Sequence, residues 1–240
     1  MRGCLSVIVL AVVFVAAVGW LAGPPAAGFV IEAGLTAGGL QSSDLDVTVQ
    51  SDPPWEVLTG RADRVRITGR QATLRGSTID ALDLELREVA VLDRSARTVD
   101  GRLEGVVVHG EGIADDLRIV GIELSGGDPI RAAVEIDDEE VEELVRRGVR
   151  ERTGRDPRRV AVESPDRMVI AVDELTIDGR LRIDDAGSLV LRTGGAAGEM
   201  IGDLVLVGAA DLPVEIDSVA VHDGRLLLGG ILEPGLLGGG

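Results

Sequence analysis

Strict alternation of apolar and polar residues runs through most of this chain and confines it to a sheet-dominated fold. Residues 45–50 (LDVTVQ) put Leu45, Val47 and Val49 on one face and Asp46, Thr48 and Gln50 on the other, the period-2 signature of a half-buried strand. Asp52-Pro53-Pro54 ends the run, because proline has no N–H to give to a ladder. The pattern returns at 64–68 and at 80–87, where Leu82, Leu84 and Leu86 face inward. It continues over 102–108, 117–124, 130–136, 168–172, 175–183, 188–192, 203–207, 214–221 and 225–231. Asp-Gly recurs between such runs, at Asp100-Gly101, Asp178-Gly179 and Asp223-Gly224. Both residues suit the positive φ of a type I′ turn, so hairpins are expected there, most clearly at the second and third. Their unequal separations argue against a solenoid repeat.

One segment breaks the pattern. Over Asp138 to Thr153, Val141, Leu144, Val145, Gly148 and Val149 follow the i, i+3, i+4, i+7, i+8 spacing of a single helical stripe. Asp137 stands at the N-cap position and Glu140 where a capping-box partner belongs. Acidic residues (Asp138, Glu139, Glu140, Glu142, Glu143) crowd the start and arginines (Arg146, Arg147, Arg150, Arg152) the end, as the helix dipole prefers. Gly154 supplies the stop. A one-sided helix among strands must cover a sheet or be wrapped by one. Aromatic residues are only 2% of the chain, so the interior is built from Val, Leu, Ile and Ala and is pliable.

The first thirty residues place the protein. After Arg2 no charged side chain appears until Glu32, and Leu5 to Gly23 is apolar for about the length that crosses a bilayer. Arg2 holds the N-terminus inside and Trp20 suits the far interface, so the rest of the chain is expected outside the cytoplasmic membrane. An uncleaved anchor and a cleaved signal peptide both fit. The run is long for a signal h-region, which favours the anchor, a single-pass cell-membrane protein; cleavage would give a secreted one. Cys4 precedes the run, unlike a lipoprotein cysteine, and as the single cysteine it cannot form an internal disulfide.

The expected fold class is therefore α+β, mostly β: a long curved antiparallel sheet of short strands wrapped around one main amphipathic helix, preceded by an N-terminal transmembrane helix. The expected organisation is 1–30 as anchor or signal segment, 31–232 as one β-rich domain and 233–240 as a flexible tail.

The net charge of −17 repels phosphate backbones, so nucleic acid is not an expected partner. Every basic residue is arginine. No nucleophile elbow, phosphate-binding loop or dinucleotide fingerprint is present, and no Cys/His cluster has zinc-ligand spacing. No cofactor or metal is expected. The acidic run 137–143 lacks the spaced oxygens and central glycine of a calcium loop and reads as helix-terminus charge. His109 and His222 each follow a valine-containing run and precede a glycine-containing turn, which reads as strand-end histidines and not as acid–base catalysts. The chain is not expected to be an enzyme.

The order of elements resembles the LmeA-like phospholipid-binding proteins of actinobacterial envelopes. The likeness spans most of residues 40–230. It comprises Leu45-Asp46-Val47-Thr48-Val49, a Pro-containing segment, Leu58-Thr59-Gly60-Arg61-Ala62-Asp63-Arg64-Val65, and the strand Leu82–Leu86 ending in Arg87-Glu88-Val89. It continues with the V-x-I-x-x-E-x-V-x-x-L pattern of Val134–Leu144, then Leu212-Pro213-Val214 and Val219-Ala220-Val221-His222-Asp223-Gly224-Arg225-Leu226. The resemblance implies an elongated fold related to the tubular lipid-binding class, and phospholipid binding in support of envelope assembly.

Candidate lipid-binding residues fall in three groups. Trp55, beyond a rigid Pro-Pro and flanked by Val57 and Leu58, suits a membrane interface or a cavity gate, or equally a core plug. Leu82, Leu84 and Leu86 form one strand face; Val141, Leu144, Val145 and Val149 form the helix stripe. Both sets serve either as ligand lining or as plain core. Arg61, Arg64 and Arg66 are candidates for a head group. The expected partners are thus a phospholipid or other acyl-chain ligand and the cytoplasmic membrane. The alternative is a structural or adaptor β-domain with a filled core that binds an envelope protein.

Overall fold

The computed structural model describes residues 40–74, 77–90, 95–109, 116–163, 165–209 and 214–232. The expected membrane segment and the C-terminal tail lie outside them, and among the described residues no helix is long and apolar enough to cross a membrane. The fold is mostly β, in two antiparallel sheets with one main helix.

The larger sheet holds β1 (Leu40–Gln41), β2 (Asp46–Gln50), β3 (Arg61–Leu74), β4 (Ser77–Ala90), β5 (Ser95–Val108), β6 (Leu117–Gly126), β7 (Ile130–Asp137), β13 (Val214–His222) and β14 (Arg225–Leu232). Its order is β1-β3-β4-β5-β6-β7-β14-β13, with β2 also on β3. The smaller sheet has the order β12-β11-β10-β9-β8, from β8 (Arg159–Glu163), β9 (Arg167–Val172), β10 (Leu175–Ile183), β11 (Leu189–Thr193) and β12 (Leu204–Val207). Helix α1 (Asp138–Thr153) links the two sheets in sequence, and a short α2 (Gly195–Ile201) follows β11. Two sheets thus stand where one was expected, because the chain leaves the large sheet at α1 and returns to it only with β13 and β14. The strand β8 and the short α2 carry too little periodicity to be read from sequence.

The strands are also not all short. β3, β4 and β5 run for 14 residues each. Their alternation is interrupted where Gln71 (φ 48°), Glu88 (φ 50°) and Gly105 (φ 60°) adopt left-handed backbone. Across Gln71 the inward residue shifts from Gly69 to Ala72, and across Gly105 from Leu103 to Val106. At each of these positions the pairing skips one residue on both strands and resumes in the same register, which changes the phase of a strand without ending it, so one long strand looks like two short ones. At Gly105 a Cβ would fall 2.1 Å from Asp80 Oδ2, which leaves room only for glycine.

The three Asp-Gly pairs part company. Asp223-Gly224 is the β13–β14 turn, both residues at positive φ (50° and 73°). Asp178-Gly179 lies inside β10 and Asp100-Gly101 inside β5, contrary to the hairpins expected there. Close approach selects these two glycines: a Cβ on Gly101 would meet Asp83 O at 2.4 Å, and one on Gly179 would meet Leu191 Cδ1 at 2.7 Å.

Helix α1 begins and ends where its periodicity places it, and Val141, Leu144, Val145, Gly148 and Val149 are its buried face. Gly154 closes it in the left-handed conformation (φ 70°), its N–H donating to Arg150 O at 2.7 Å. The start is capped differently from expectation. Asp137 makes no side-chain cap bond and instead sits 3.4 Å from Arg225 Nε. The Asp138 N–H donates to Gly224 O at 3.0 Å, and Glu140 Oε1 accepts from the Arg118 N–H at 3.3 Å. Tertiary partners supplied by the β13–β14 turn, β14 and β6 take the place of a local capping box. The helix touches β8 and β12, the two edges of the small sheet, and β7 and β14 of the large one.

Candidate functional site

The helix stripe is core. Val141, Leu144, Val145 and Val149 are each 0% exposed, packed with Met168, Ile170, Leu189, Leu191 and Leu206 in one contiguous cluster. A ligand reaching them would have to displace close-packed side chains, at a cost of several kcal/mol (about 2–5 for one large aliphatic side chain).

The strand face is different. Cross-strand register aligns Gly69, Leu82, Leu103, Ile122, Val134 and Leu228 in one inward row, and Ile67, Leu84, Gly101, Leu124, Ala132 and Gly230 in the next. Leu82 is buried, but Leu84, Leu86, Leu103 and Leu124 are only half-buried. Leu84 and Leu124 are the register partners of Gly101, with Leu86 diagonal to it and Leu103 along β5. Its missing side chain lets Leu84 lean across β5, where an added Cβ would meet Leu84 Cδ2 at 2.7 Å. The result is a continuous, partly uncovered aliphatic strip on the middle of β4, β5 and β6. Leu103 and Leu124 belong to it although neither stood out in sequence. Leu103 follows a dipeptide that imitates a turn, and Leu124 closes an otherwise ordinary strand.

Trp55, Val57 and Leu58 lie on a 3₁₀ turn, Pro54–Thr59, closed by Gly60 at φ 79°. In a 3₁₀ helix residues i and i+3 eclipse. Trp55 and Leu58 therefore share one side, 50% and 61% exposed, while Val57 points into the core at 8%. This turn precedes Arg61, which pairs with Ala90, whereas Leu40 pairs with Leu74 at the other end of β3. The α1 end of the sheet is the Leu74 end, since Ala72, Ile79, Val106 and Ile119 follow one another across the ladder toward the end of β7. Some 12 strand residues, about 40 Å at 3.3 Å each, separate the Trp55 turn from α1. The three candidate groups do not converge on one pocket.

The candidate head-group arginines also lie apart from the leucines. Arg64 and Arg66 alternate with Val65 and Ile67 and so occupy the opposite face of β3. There Arg66 forks onto Asp83 at 2.7 and 3.0 Å, and Arg64 approaches Glu85 at 3.3 Å. The hydrogen bond from Arg66, aided by its charge and opposed by partial desolvation, holds the Asp83 carboxyl below its ordinary value. Glu85 is lowered in the same way, chiefly by the hydrogen bond from Arg87. Arg61 is exposed at the start of the strand.

His109 Nδ1 meets Asp116 Oδ1 at 2.5 Å and His222 Nε2 meets Asp223 Oδ2 at 3.1 Å, all four side chains largely exposed. Among the described residues no group of three or more His, Cys, Asp or Glu is placed to hold a metal. Two open depressions lie on the sheets. One, of about 410 Å³, runs over β5, β6, β7, β14 and β13 beside Arg102, Glu123, Arg131 and Asp217. The other, of about 470 Å³, lies on the small sheet among Arg167, Arg180, Arg182 and Arg192. The first takes in Gly101 and Leu124 of the strip, and neither is lined by Trp55 or by the leucines and valines singled out from sequence. No family model, curated protein or solved structure matches the chain.

Proposed function

We propose that this is an LmeA-like, non-catalytic phospholipid-binding protein, held by its N-terminal segment on the outer side of the cytoplasmic membrane and serving envelope assembly or lipid handling. The observation that carries the reading is the aliphatic strip of Leu84, Leu86, Leu103 and Leu124, which stay only partly buried on the inward face while their row neighbours Val65, Leu82, Val99 and Ile122 are buried. Exposed apolar side chains are common singly, but a contiguous run on a face otherwise turned to the core is a surface that gains from an apolar partner. Each sheltered methylene is worth about 0.8 kcal/mol, so about ten acyl carbons offset the several kcal/mol that association costs. The small sheet touches α1 with both of its edges, the covering of a helix by a sheet that the one-sided stripe requires. Trp55 and Leu58 offer a second apolar contact, at the end of the large sheet remote from Leu40.

The test is native mass spectrometry of the full chain released from detergent, with extraction of the retained lipid. The expected result is a phospholipid at close to one per chain, lost when Leu84→Gln and Leu103→Gln are combined. A lipid-free mass that stays unchanged after incubation with phospholipid vesicles overturns the proposal and leaves the adaptor reading, a domain whose partner is an envelope protein.

A further inference from the structure

The small sheet carries a feature at odds with the acidity of the whole. On its outer face Arg180 is the direct register partner of Arg167 on β9 and of Arg192 on β11. Three guanidinium-bearing side chains therefore stand in one cross-strand row, spanning about 10 Å at the usual strand spacing. Arg182, the next outward residue of β10, extends the group. Like charges directly opposite each other destabilise a sheet, and here the repulsion is poorly neutralised from within. Arg167 is engaged by Asp178 at 2.6 Å and Glu163 at 3.2 Å. The acids nearest Arg180 and Arg192, Asp166 and Asp203, stand at 4.0 and 3.9 Å, the limit of contact. Arg182 forms no ion pair among the described residues. All four arginines line the 470 Å³ depression, in which Asp178 is the one acid among the described residues. In a chain of net charge −17, this is a local reversal of sign.

We infer that this arginine row binds a phosphate-type oxyanion, either a soluble phosphoryl group or a lipid head group. The planar fork of a guanidinium matches phosphate oxygens two at a time. A dianion seated over Arg180 draws on Arg167 and Arg192 from both sides and removes the repulsion that the row otherwise carries. The site lies on a different sheet from the leucine strip and does not depend on acyl-chain binding.

The test is thermal unfolding of the full chain in neutral detergent, with sodium phosphate compared against sodium chloride at equal ionic strength. That matching removes simple screening of the acidic surface. Phosphate is expected to raise the midpoint saturably. Arg180→Gln combined with Arg192→Gln is expected to leave the midpoint in chloride unchanged or higher, and to raise the phosphate concentration for half-effect about tenfold. A wild-type midpoint identical in the two salts overturns the inference, as does a double variant that responds to phosphate like the wild type. A second arm mixes phosphatidylglycerol into the micelle. An arginine-dependent shift larger than that of soluble phosphate identifies the ligand as a head group, and a shift by soluble phosphate alone identifies a soluble phosphoryl compound. Leu84→Gln keeps the phosphate response even if it abolishes lipid retention, so failure of one proposal is separable from failure of the other.

Discussion

The helix with its small sheet and the middle of the large sheet use the same leucines, isoleucines and valines, yet finish in different states. Around α1, Leu144, Met168, Ile170, Leu189 and Leu206 are all 0% exposed, because the small sheet meets the helix with both edges. In the large sheet Leu84, Leu86, Leu103 and Leu124 are left half-covered, because Gly101 puts no side chain among them. Composition alone does not decide whether an aliphatic face becomes core or surface. The decision falls to what packs opposite it, and the two regions make opposite predictions for the same substitution.

The largest expected effect is in the closed region. Leu144→Ala removes a fully buried side chain and is expected to cost about 3 kcal/mol in chemical denaturation, with lipid retention per folded molecule unchanged. A loss of lipid without a loss of stability would reverse the roles assigned to the two regions.

Next comes the backbone that shapes the open region. Gly105→Ala forces a Cβ into a left-handed residue (φ 60°) and to 2.1 Å from Asp80 Oδ2, for an expected cost of about 2 kcal/mol. Gly224→Ala has a similar φ of 73° but meets Asp138 Oδ2 only at 3.2 Å, so a smaller cost of about 1 kcal/mol is expected. Equal costs measured for the pair would show that the kink at Gly105 relaxes, and that the phase shift of β5 is soft.

These positions also mark what was legible in the sequence. The helix was readable to the residue because its stripe and its Gly154 stop are local, whereas its N-terminal partners, Gly224 O and Arg118 N–H, arrive from distant strands. The central strands were legible only in pieces, since Gln71, Glu88 and Gly105 shift the alternation where the pairing skips one residue and then resumes in the same register. A glycine chosen for close approach, as at Gly101 and Gly179, is indistinguishable in sequence from one chosen for a turn. Register was illegible altogether. Nothing local to Arg167, Arg180 or Arg192 reveals that they share a row, nor that Leu103 and Leu124 flank Gly101.

In the open region Leu84→Ala is expected to cost about 1–2 kcal/mol, less than a fully buried leucine, since part of the side chain already meets water, while reducing the phospholipid retained in native mass spectrometry. The contrast with Leu144→Ala, costly and lipid-neutral, is the sharpest form of the comparison. If Leu84→Ala proves as costly as Leu144→Ala, the strip is ordinary core and the distinction between the regions collapses.

The smallest expected effect lies on the solvent edge of the closed region. Partial desolvation against the packed helix raises the Glu142 carboxyl above its ordinary value, opposed by Arg146 at 3.8 Å and reinforced by Asp138 and Glu139. A group whose pKa is raised on folding binds its proton more tightly in the native state, so it favours folding below the ordinary carboxylate range and loses that contribution as pH rises through its folded value. At neutral pH the ionised Glu142 therefore counts against the fold. Glu142→Gln is expected to stabilise the protein at pH 7 by about 0.5 kcal/mol or less, with the gain vanishing as the pH falls below the carboxylate range. Thermal melts of the two proteins across that range decide it. A variant that is less stable at pH 7 would mean that the Arg146 pair outweighs desolvation, and that packing of the small sheet onto α1 is looser at this edge than the buried stripe beneath it.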